Sequence, residues 1–126
     1  MSFHACVWLD QRHAKIFHIG AMTADMQSLT DDRPEHHLHR KADHVGEGTI
    51  EMDHELMREI AENLASAEAI LIMGPGKAKT TFKSYLDEHF PELAHRVWDV
   101  RASDHPTDAQ IVAEARLWFR AQDRMH

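Results

Sequence analysis

One cysteine, Cys6, stands in 126 residues, so neither an intrachain disulfide nor a cysteine-rich zinc site is available. That usage fits a reducing cytoplasm. Long hydrophobic runs are missing as well. The longest, Ala69–Met73, is far short of a bilayer span and suits a buried strand. No basic region precedes an apolar stretch in Met1–Cys6, so no secretory signal is expected. An excess of positive charge is also absent: the formal net charge is −7 with histidines neutral, which argues against a broad electrostatic grip on phosphate backbones. No internal repeat and no interdomain linker stands out, and 126 residues suit one domain, residues 1–126, with a core of its own.

What is present is an ordinary globular mixture, 43% hydrophobic and 28% charged, with an unusual count of twelve histidines. The first third reads as strands. Phe3 to Leu9 places Phe3, Val7 and Leu9 on one alternation and Cys6 and Trp8 on the other. Asp10-Gln11-Arg12 reads as a turn, His13 to Ile19 as a second strand ended by Gly20, and Met26 to Thr30 as a third, weaker one. Residues 31–49 are polar, contain Pro34, Gly46 and Gly48, and read as a long histidine-rich loop.

The period then changes. Leu56, Ile60 and Leu64, with Met57 and Ala61, mark a helix from about Ile50 to Ala65. Ala69 to Met73 is apolar on both alternations, as a central strand requires. After Gly74-Pro75-Gly76, residues Phe82, Tyr85, Leu86 and Phe90 mark a second helix, which Pro91 is expected to close. Arg96 to Arg101 reads as a fifth strand. Thr107 and Gln110 form a capping-box pattern for a last helix whose stripe is Ile111, Ala115 and Trp118, with Val112 and Phe119 flanking. The order β-β-β-α-β-α-β-α predicts an antiparallel meander followed by right-handed crossovers. This is the order expected of an α/β, ribonuclease H-like three-layer fold with a mixed five-stranded sheet.

The strand Ala69–Met73 followed by Gly74-Pro75-Gly76, Lys79, Phe82 and Tyr85-Leu86 is similar to a segment in the central domain of Pelota and archaeal-type peptide chain release factors. The chain also resembles the small stand-alone bacterial proteins called translational machinery proteins. That likeness takes in Val7-Trp8-Leu9-Asp10, the run at 37–42 and Asp104–Asp108. The resemblance implies a translational-machinery-component domain. In release factors the loop between meander and first helix carries Gly-Gly-Gln, which assists peptidyl-tRNA hydrolysis. Here His36 to Gly48 fill that place, with Gly46-Glu47-Gly48 but neither a Gly-Gly pair nor a glutamine. The catalytic activity therefore does not carry over.

Several residues invite chemistry. His36, His37, His39 and His44 offer imidazoles within nine residues, suited to zinc, nickel or copper. Against that stands a solvated polar loop whose histidines bind metal only incidentally, since histidine-rich composition alone is a weak signal. Arg40 and Lys41 suit phosphates and His44 suits stacking on exposed bases, making this loop a candidate RNA or partner contact together with Lys77 and Lys79. Gly74-Pro75-Gly76-Lys77 at a strand-to-helix junction could hold a phosphate, but it is not a Walker A loop and tight geometry explains its glycines. The two-metal carboxylate set of a nuclease is incomplete: Asp10 has no counterpart at the end of Ala69–Met73, and Glu51, Asp53 and Glu55 suit a helix N-terminus. Asp104-His105 with Asp108 resembles an acid–base pair but sits at a helix start, and Cys6 and Trp8 fit a buried strand.

The expected function is a non-catalytic, translation-associated or RNA/ribosome-binding module in the cytoplasm. The alternatives are a metal-binding domain built on the histidine loop and, third, an enzyme of undetermined chemistry. Ribosome or RNA are the expected partners, a membrane is not, and apolar strand edges leave room for a homodimer.

Overall fold

The computed structural model describes residues 4–20, 23–31 and 52–123. Strands β1 (His4–Leu9), β2 (His13–Ile19) and β3 (Ala24–Thr30) form the meander. Helix α1 (His54–Asn63), strand β4 (Ala69–Gly74), helices α2 (Ala78–His89) and α3 (Pro91–His95), strand β5 (Val97–Ala102) and helix α4 (Asp108–Asp123) follow. The sheet order is β3-β2-β1-β4-β5. β1 pairs antiparallel with β2 and parallel with β4, so β2 alone runs against the other strands. This is the mixed five-stranded α/β arrangement expected.

The alternation in β1 divides the core into two layers. Ala5, Val7 and Leu9 face α1, α2 and α3, together with Ile16, Ile70, Ile72, Leu56, Ile60, Phe82 and Leu86. Cys6 and Trp8 face α4, together with Phe17, Leu71, Met73, Ile111, Ala115 and Phe119. β4 is buried along its whole length because helices cover both of its faces. β3 is the opposite case: six of its seven residues are exposed and only Leu29 packs inward.

Three expectations need correction. Pro91 does not simply close a helix; it opens α3 from the first position, where a missing N–H costs no hydrogen bond. The last helical stripe is completed by buried Phe119 after Ile111 and Ala115, whereas Trp118 lies at its margin, and Phe119 stacks on His4 with ring centroids 4.4 Å apart. β3 runs from Ala24, two residues earlier than its composition suggested, since Ala24 pairs with Ile19. The capping box is present as predicted: Thr107 N–H donates to Gln110 Oε1 at 2.9 Å and Gln110 N–H to Thr107 Oγ1 at 3.1 Å.

Two arginines tie loops to this frame. Arg96 Nη1 donates to the Ala65 and Ala67 carbonyls at 3.1 Å each, holding the α1–β4 connection. Arg116 on α4 donates to the Gly20 and Thr23 carbonyls at 3.3 and 3.0 Å, pinning the β2–β3 turn.

Candidate functional site

The parallel strands β1, β4 and β5 end at one edge of the sheet, the edge where open α/β sheets usually form their crevices. Asp10, the Gly74–Lys77 turn, Lys79 and the Ser103–His105 loop meet there in chain order after the three strands. Gly74 has φ 150°, and a Cβ at this position would collide with the Leu9 carbonyl oxygen. Gly76 has φ 63°, the left-handed region that glycine enters without penalty. Both glycines of the junction are thus explained by backbone geometry.

The charged groups around this edge are largely engaged in local structure. Asp10 Oδ1 accepts from Arg12 N–H at 2.9 Å and His13 N–H at 2.7 Å, and lies 3.3 Å from His13 Nδ1. Its carboxylate therefore shapes the β1–β2 turn, in the manner of an Asx turn. Lys79 Nζ donates back to the Gly76 carbonyl. Lys77 occupies the N-cap position of α2, is exposed, and supplies no side-chain acceptor to the first turn. Of the proposed binding residues, Lys77 and Lys79 are thus brought to one helix start. Arg40, Lys41 and His44, and the metal candidates His36, His37, His39 and His44, lie outside the described residues.

The remaining candidates resolve into structural roles. Cys6 is fully buried, and burial, with Glu114 adding to it, pushes its thiol far above the ordinary range, so it holds its proton and is a poor nucleophile. Trp8 is 5% exposed and its indole N–H donates to the Asp104 carbonyl at 2.8 Å, which places it in the core rather than on a stacking platform. The His105 imidazole lies 2.9 Å from Asp104 Oδ1, but both side chains are open to solvent. Asp108 forms an ion pair with Lys15 at 2.8 Å. Among the described residues no three His, Cys, Asp or Glu side chains stand close enough to hold a metal ion.

One surface cluster was not singled out in the sequence. Tyr85 packs against His89 at 4.6 Å, with His54 and Phe90 each 5.9 Å away. Burial raises the Tyr85 pKa, opposed by the nearby Arg58 guanidinium. The helical spacing of Tyr85 and His89 was a readable signal for half of this group; the approach of His54 from α1 was not.

No family model matches the chain, and no curated protein matches it. Solved structures do. Pelota from Archaeoglobus fulgidus is similar over 97% of this chain and 37% of its own, with a TM-score of 0.60 and 19% identity. Pelota from Thermoplasma acidophilum is similar over 90% of this chain and 31% of its own, with a TM-score of 0.61 and 20% identity. An archaeal translation termination factor, aRF1, is similar over 98% of this chain and 39% of its own, with a TM-score of 0.57 and 17% identity. The chain therefore spans well under half the length of these proteins. The resemblance read from Ala69 to Leu86 holds at the level of the whole fold: this chain has a fold shared with Pelota and the archaeal termination factor.

Proposed function

We propose that the chain is a non-catalytic binding module of the translation apparatus, which holds RNA or a ribosomal surface and turns over no substrate. The supporting observation is the likeness of fold to Pelota and aRF1 along nearly the whole chain. The absence of Gly-Gly-Gln from the sequence between β3 and α1 favours binding over hydrolysis. The engagement of Asp10 in a turn removes a carboxylate from a nuclease-type site. Contacts in this reading are made by Arg40, Lys41 and His44 together with Lys77 and Lys79, in the cytoplasm. Ribosome-profile sedimentation of cells after growth arrest or stress tests it. The protein is expected in ribosomal or subunit fractions, with loss on combined Arg40→Ala and Lys41→Ala substitution. A protein that stays wholly at the top of the gradient defeats the reading.

The crowding of His36, His37, His39 and His44 within nine residues supports a second reading, a zinc- or nickel-binding loop. Metal analysis of untagged protein is then expected to find bound metal, and His37→Ala/His39→Ala to weaken it. Equal affinity in the variant removes this reading.

A further inference from the structure

The two edges of the sheet are built differently. At β5 the pairing with β4 is irregular: Ile70 faces Val97 and Leu71 faces Asp99, leaving Trp98 as an extra residue. Asp99 Oδ1 accepts the Val100 N–H at 2.8 Å, withdrawing that donor from any further strand. Arg101 lies beside it, 3.8 Å from Asp99. A bulge and a side chain that takes up an edge N–H are devices that keep an edge from pairing with another chain.

β3 carries none of these among the described residues. Its seven residues, Ala-Asp-Met-Gln-Ser-Leu-Thr, contain no lysine, arginine or proline, and they pair with β2 in unbroken register from His13↔Thr30 to Ile19↔Ala24. The strand is also held firmly, because Arg116 anchors the turn that leads into it. Met26, one of the exposed large hydrophobic residues of the described structure, belongs to this strand. Met26 borders a groove of about 490 Å³ between β3 and α4, lined also by Ala24, Phe17, Ala109, Val112 and Ala113.

We propose that β3 is a self-association edge, pairing antiparallel with β3 of a second copy about a two-fold axis at Gln27, to give a continuous ten-stranded sheet. A two-fold axis normal to the sheet keeps opposed side chains on one face, so a residue must lie on it. Charge chooses which. With the axis at Gln27, Asp25 faces the partner's Leu29, Met26 faces the partner's Ser28, and the Gln27 side-chain amides meet each other. The two Asp25 carboxylates then fall on opposite sides of the axis, well separated. With the axis at Met26 they are brought into the closer diagonal relation, where like charges oppose pairing. The sole charge on the strand is thus compatible with self-pairing in the Gln27 register.

Sedimentation velocity of the full chain across micromolar to millimolar concentration tests this. A reversible dimer is expected. Gln27→Lys places two ammonium groups opposite each other and is expected to raise the dissociation constant about fivefold or more. Gln27→Glu is expected to do the same, and an equimolar mixture of the two variants is expected to restore association as a heterodimer. Gln27 is exposed, so both variants should fold, and circular dichroism checks that. A monomer at every concentration overturns the proposal. So does a dimer indifferent to both single variants, or one that the mixture fails to restore.

Discussion

At Gly74 a φ of 150° and the Leu9 carbonyl together leave room for hydrogen only. Gly74→Ala is expected to cost about 3 kcal/mol or more, through strain at a special backbone position and a clash between neighbouring strands. Gly76 meets no neighbouring atom, so Gly76→Ala carries only the left-handed penalty of about 1 kcal/mol. Urea unfolding of the two variants separates these costs. Cys6 supplies a prediction in pH. Burial keeps the thiol protonated in the folded chain, while the unfolded chain releases that proton above about pH 8.5. The stability linked to Cys6 is therefore complete below that pH and falls as pH rises toward the folded pKa, by at most about 1.4 kcal/mol per pH unit. Cys6→Ala is expected to remove this alkaline slope, and native protein to resist thiol alkylation. The inertness of Cys6 could be read from its place on a strand. The local use of Asp10 and Lys79 could not, because both depend on where a turn carries a side chain.

At the scale of elements, the most legible features were those whose causes are local. Thr107 and Gln110 announced the start of α4 because a capping box closes within one turn, and both of its hydrogen bonds are formed. Thr107→Ala is expected to lower stability by about 1 kcal/mol, with a matching fall in thermal midpoint. The phase of the same helix was less legible. Trp118 and Phe119 are adjacent and both apolar, Trp98 touches both, and only Phe119 stacks on His4, which comes from a strand far away in the chain. Pro91 was ambiguous for a different reason: proline both stops a helix and suits the first position of the next. The sheet order, the bulge at Trp98 and the bareness of β3 involve pairing between distant segments, which periodicity does not encode. The histidine loop, the most conspicuous feature of composition, lies outside the described residues and adds nothing to this comparison.

For the whole molecule, pairing through β3 ties stability to concentration, since whatever binds only the folded chain raises its midpoint. The thermal midpoint is expected to climb with protein concentration in the parent chain and to be flatter in Gln27→Lys, as followed by calorimetry. The central place of β1 has a consequence in time as well as in space. β1 is synthesised first, yet its parallel partner β4 joins His4 to Ala69 from beyond the whole first half of the chain. The meander closes over short turns and can form early, whereas the β1–β4 ladder waits for a large loop to close and sets the slow step. A nascent chain halted before Ala69 would expose one flank of β1, including Val7 and Cys6, to whatever lies nearby. Substitutions within β4, such as Ile72→Val, are therefore expected to slow refolding more than equally buried substitutions in α4, such as Ile111→Val, measured by stopped-flow fluorescence.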